Sequence, residues 1–216
     1  MSPDEGNAEQ SLGPVGSLFG FPAISSLLVI KVSKSLPAIG FLTALEDSQH
    51  GFFGGYLVIS ELGRPLEFHC STPVLPNQAQ RILYGKTLGA YVLGDLIGQT
   101  LLTKSQLPVQ AVLTDNREMM GLALVRDERI ICVESADHAD ECLVESSVPE
   151  FVLAGYRLFG TASCIWQPSE QKQALENLAS HVDLAEPFER IREAIREAQR
   201  VTDHSTDERH DSADAA

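Results

Sequence analysis

The sequence predicts an α+β domain with mixed strand directions. Three stretches carry that prediction. Pro65–Cys70 alternates apolar and polar residues with period 2, as a strand does. Leu88, Tyr91, Val92, Leu96 and Ile97 recur at helical spacing. Residues 109–134 read as strand, helix, strand. With 44% hydrophobic and 21% charged residues, the 216-residue chain has enough apolar side chains for a core and does not resemble a disordered polymer. One globular domain is expected over residues 15–200, between acidic, disordered ends at 1–14 and 201–216.

The elements follow in order. Ser26–Ser33 (SLLVIKVS) and Ile39–Leu45 (IGFLTAL) are strand candidates, paired as a hairpin across residues 34–38. Residues 46–55 are polar and glycine-rich, and the Gly54-Gly55 pair marks them as a turn. Tyr56–Ser60 and Pro65–Cys70 form a second antiparallel hairpin around Gly63. In its second strand Leu66, Phe68 and Cys70 take the buried face, and Glu67 and His69 take the solvated one.

The prolines of Ser71–Pro76 hold that stretch extended. Asn77 then caps a short helix over 78–84, with Gln80 in the capping-box position. Gly85 can end it, and a second helix, or its continuation, covers 88–103. Val109–Thr114 is a strand, and Asn116 can cap a helix carrying Met119, Met120, Ala123 and Leu124. Ile130–Glu134 closes a β-α-β unit. A hairpin over 121–134 competes, but Met-Met-Gly-Leu-Ala-Leu contains good helix formers and favours the helix.

Residues 135–145 are acidic loop or short helix, and 151–159 is one further strand. Pro168 suits the first turn of a helix over 169–180. The last helix follows Pro187. Leu184, Phe188, Ile191 and Ile195 share one face, and Glu189, Arg192, Glu193, Arg196 and Glu197 the other. Such a helix must cover a surface, of its own domain or of a partner protein or second copy of the chain (a homo-oligomer), along Leu184–Ala198. Its periodicity stops after Arg200.

The formal charge is −14. The first 14 residues contribute −3 and the last 16 contribute −4, leaving −7 between them. A chain so charged, without a Lys/Arg cluster, is repelled by phosphate backbones and anionic lipid. Neither nucleic acid nor membrane is an expected partner. Residues 1–6 (MSPDEG) have neither the basic nor the apolar region of a secretory leader. A cytoplasmic protein with reduced thiols is therefore expected.

Candidate sites stand beside plainer readings. Cys70 is a candidate nucleophile that needs a base supplied by the fold, and is otherwise a small core residue. Adjacent His69 points to the opposite strand face and is a candidate binding residue. Asp115 ends a strand where α/β ligands gather, so it is the best carboxylate for an active site. Its ordinary role would be to cap the following helix. Arg64, Arg81 and Tyr84 can line a groove beside Thr72-Pro73, and Arg81 and Tyr84 are the binding candidates.

Cys132, His138 and Cys142, with His69 or Cys70, are weak zinc candidates, because their spacing is not that of a compact zinc site. No cofactor motif is present. Gly85-Lys86-Thr87 echoes the end of a phosphate loop without its upstream glycine. At 100° per residue, Gly85 and Gly89 face away from Gly94 and Gly98, which reads as close approach on two sides. Absent catalytic signatures and an amphipathic last helix point to a non-enzymatic binding or regulatory protein acting through protein contacts. The alternative is a small enzyme with a thiol or carboxylate site near Cys70 and Asp115.

Overall fold

The computed structural model describes residues 38–136, 150–161 and 168–211. The mixed α+β class holds. Seven strands form one sheet in the order β3-β2-β1-β4-β5-β7-β6. They are β1 (Ala38–Asp47), β2 (Gly51–Ser60), β3 (Pro65–Cys70), β4 (Ala111–Thr114), β5 (Ile130–Ser135), β6 (Glu150–Leu153) and β7 (Tyr156–Phe159). β1, β4 and β5 run parallel, and every other pair is antiparallel.

Both faces are covered. On one lie α3 (Pro168–Ala179) and α4 (Glu186–Asp211), over a core including Ile39, Phe41, Leu57, Phe68, Leu113 and Ile131. The other carries a π-helix (Ala90–Gly98), α2 (Gln99–Lys104) and a 3₁₀ helix (Arg117–Leu124), with the short, mostly exposed α1 (Gln78–Tyr84) leading into them. Its core includes Leu42, Tyr56, Val58, Val92, Ile97 and Met119. Successive strand residues therefore serve opposite layers.

Several boundaries differ from the sequence reading. Residues 26–33 lie outside the described residues, so the expected hairpin with 39–45 cannot be placed. β1 instead pairs with β2 along its whole length, from Ala38 opposite Ser60 to Asp47 opposite Gly51. Gly54-Gly55 is accordingly no turn. Both residues sit inside β2, one under each helical layer. A Cβ on Gly54 would overlap Ile97 of the π-helix, and one on Gly55 would overlap Ile191 of α4. Glycine is needed there because backbone and helix approach too closely for any side chain.

β3 buries both of its faces rather than one. Phe68 and Cys70 join the α4 side, while Glu67 and His69 are buried on the other. Residues 151–159 are not one strand. They form the β6–β7 hairpin, turning at Ala154-Gly155 with φ of 52° and 82°. Two consecutive positive φ values match the twist-compatible two-residue hairpin turn.

The Asn77–Gln80 capping box forms in both directions, at 2.8 and 2.9 Å. Asn116 caps its helix by accepting from the Glu118 N–H at 2.9 Å. The strand–helix–strand alternative prevails over the hairpin, although the helix is 3₁₀. The expected 88–103 helix is π through Gly98 and α beyond it. That changes the glycine geometry. Hydrogen bonding from i to i+5 widens each turn, so residues four and five apart return to one side. Gly89, Gly94 and Gly98 all face the 3₁₀ helix, against Glu118 and Leu122, instead of fanning out.

α4 docks on its own domain. Leu184, Phe188, Ile191 and Ile195 are buried against the sheet, with Phe188 edge-on to Phe41 at a ring separation of 5.2 Å. Its apolar face is thereby occupied within the chain and is not open to a partner. The helix runs through Asp211, past the Arg200 where its periodicity stops. Among the described residues no helix is long and apolar enough to cross a membrane.

Candidate functional site

Cys70 and Asp115 share a sheet face but do not meet. The register places Cys70, Gly55 and Thr43 in one row, with Asp115 just beyond β4 at the row's end. Three strand spacings, about 14 Å, separate the two candidates. Ile191 of α4 descends onto Gly55 between them. Cys70 is buried in the α4-side core. His69 points to the other layer.

Asp115 is engaged structurally. Its Oδ1 accepts from the Thr43 hydroxyl at 2.7 Å, and its Oδ2 accepts from Arg192. Arg192 also donates to Thr43 at 3.2 Å and to Glu189 at 2.6 Å. The expected capping role passes to Asn116, and Asp115 instead latches α4 to the middle of β1 and the carboxyl end of β4. Arg192→Ala and Asp115→Asn should each lower unfolding free energy by about 1.5 kcal/mol, the value of a hydrogen-bonded charged group. In urea titrations the double variant should lose clearly less than the sum, because both changes break one contact.

The thiol–imidazole zinc arrangement is not assembled from the described part. Cys132 faces the π-helix side, opposite to Cys70. His69 shares the Cys132 face but lies four strands away, about 19 Å. His138 and Cys142 lie outside the described residues. Burial, with the Glu134 carboxylate nearby, pushes the Cys132 thiol up to about 12. Among the described residues no group of three His, Cys, Asp or Glu side chains is placed to hold a metal.

The groove imagined around Thr72-Pro73 does not form from all its members. Arg64 sits at the β2–β3 turn, and Thr72 lies beyond the opposite end of β3. Arg81 and Tyr84 do lie together on α1. Arg81 donates to the Pro76 carbonyl at 3.2 Å. Tyr84 stacks on Tyr91, with ring centroids 4.1 Å apart.

α1 is turned inside out. Its buried residue is Gln80, 3% exposed, while Ile82 and Leu83 are 69% and 70% exposed. The capping box explains half of this. Gln80 must bend back to the Asn77 N–H, which fixes which side of the helix faces inward. Arg81 and Lys86 are exposed beside the apolar pair, and residues 68–94 contain no acidic side chain. This is a small, basic-edged apolar surface on a chain of charge −14.

The site that sequence reasoning missed is interior. Glu67 is fully buried and bonds His69 Nε2 at 2.6 Å. It also accepts from the Ser105 hydroxyl at 3.1 Å and from the N–H groups of Gln106 (3.0 Å) and Leu107 (3.1 Å). Burial, the largest single influence, pushes its carboxyl upward. The bonds from His69, Gln106, Leu107 and Ser105 together outweigh burial and hold it below the usual value. Tyr56 lies beside this group with its phenol raised by burial. Apart from His69, the donors stand 38 to 40 residues from Glu67, so no local spacing announces them.

No protein-family model matches the chain, and no match to a curated protein is found.

Proposed function

We propose that this chain is a non-enzymatic protein-interaction module whose contact surface is α1. Its partner is an acidic segment carrying apolar anchor side chains. The observation that carries the reading is the inversion of α1. Exposing adjacent Ile and Leu while burying Gln forgoes about 1.5–3 kcal/mol of burial per side chain, so folding alone does not favour it. Scattered surface leucines are ordinary, but two large aliphatics on the outward side of a capped helix form a ready anchor site. Arg81 and Lys86 at its margin, with no carboxylate on α1 itself, favour a negatively charged partner, although the Glu118 carboxylate stands over Gly89 in the next turn.

The test is selection of displayed short peptides on the full chain, with Ile82→Ser/Leu83→Ser as the counter-target. The expected winners place Leu, Phe or Trp at helical i, i+3 or i+4 spacing with Asp or Glu between them. They should bind the double variant at least tenfold more weakly, and its melting temperature should be unchanged. Basic winners, or winners indifferent to the double variant, would overturn the reading. So would a stable dimer that the double variant dissolves, since that assigns the surface to a second copy.

A further inference from the structure

A cavity of about 310 Å³ opens between the end of α2, the 105–109 loop and the turn before β5. Leu102, Leu107 and Val109 supply apolar wall, while Tyr56 and Ser105 supply hydroxyls. Glu128 and Asp127 complete the other side. Apolar walls around a few convergent polar groups are the usual form of a small-molecule site, and this volume lies at the lower end of the usual range.

The polar side is built rather than incidental. Ser105 is fixed by its bond to buried Glu67, which is itself clamped by two N–H groups and His69. Tyr56 is only 1% exposed yet reaches the cavity, and its ring fills the space a Cβ on Gly40 would take.

Charge narrows the ligand class. Arg126, next to Asp127 in sequence, is bound twice to Glu128, at 2.6 and 3.0 Å, and once to Thr103 at 3.1 Å. Glu128 is thus held by Arg126, and Glu67, behind Ser105, by His69, so exposed Asp127 is the lining carboxylate left to meet a ligand's positive charge. An anion would meet Asp127 and Glu128 with no basic lining residue to receive it, whereas a cation would pair with Asp127. We infer that the cavity binds a small organic cation: an amine on a compact apolar body, with the ammonium toward Tyr56, Ser105 and Asp127 and the body against Leu102, Leu107 and Val109.

Three probes with one ring separate charge from shape: phenethylamine, 2-phenylethanol and phenylacetate. Calorimetric titration of the full chain should show phenethylamine binding roughly tenfold more tightly than the alcohol, a difference of about 1.4 kcal/mol, and phenylacetate not binding. Leu107→Trp, which fills the cavity, should abolish the amine's binding. Asp127→Asn, an exposed change that leaves the core untouched, should weaken it severalfold. Should Leu107→Trp fail to fold, Val109→Phe serves as the filling variant. Equal binding of all three probes, no binding of the amine, or binding that survives a folded, filled cavity would each overturn the inference.

Discussion

Glu67→Ala should destabilise the domain by about 4 kcal/mol, because several buried donors lose a charged acceptor at roughly 1–3 kcal/mol each. The loss is large because the carboxylate serves four donors at once. Without it the N–H groups of Gln106 and Leu107, the Ser105 hydroxyl and His69 Nε2 are left without this acceptor. Glu67→Gln keeps one carbonyl acceptor and should cost about half as much.

Acid supplies an independent check. The folded carboxyl titrates below its ordinary value of 4.5, so its contribution is complete above that pH and fades as pH falls through the depressed value. The wild-type advantage over Glu67→Gln in urea denaturation should therefore shrink as pH falls below about 4.5. An advantage that grows on acidification would show that the carboxyl is raised rather than lowered.

Gly55→Val should be comparably severe, at about 3 kcal/mol or more, from overpacking between β2 and α4. Ile191 and Ile195 lie directly over that position, and Ile191 is held in turn by the Arg192 latch one residue along. Gly54→Val should cause a similar loss through Ile97 and Leu101 on the opposite face. Hydrogen exchange separates the two. Gly55→Val should expose amides of α4 first, and Gly54→Val those of the π-helix and α2. Gly121→Ala is the control: nothing lies within 4 Å of its Cβ, so stability should change by no more than about 0.5 kcal/mol.

These positions show what was legible in the sequence and what was not. Signals closed by near neighbours were readable. Asn77 and Gln80 form their box within four residues, Asn116 caps the helix beginning next to it, and Phe68 and Cys70 alternate onto one core. The last helix displayed its apolar stripe, but nothing local said that Phe41 and Gly55 would receive it.

Distant contacts decided the failures. Gly54-Gly55 has the composition of a turn, and only helices more than 40 residues downstream make it a strand interior. Glu67 has the look of a solvated strand position, and its burial is stable only because the 105–107 backbone offers it donors. The π-helix has no local signature at all. Its width follows from the packing of Gly89, Gly94 and Gly98 against residues 117–124. Asp115 stands at a strand end, where charged groups gather. That place proved right for a charged contact, but the contact is with the protein's own arginine.

Strand order also sets an assembly schedule. β1 closes onto β2 across residues 48–50, a near-neighbour pairing with little chain to organise. Its other edge must wait for β4, which begins at Ala111 after the whole helical stretch has emerged. Until then the three-stranded meander β1–β3 presents an open flank bearing Ile39, Phe41 and Leu42, the kind of unpaired apolar border on which nascent chains stick to one another. Arrival of β4 removes that hazard, and with Asp115 it delivers the anchor that fastens the final helix.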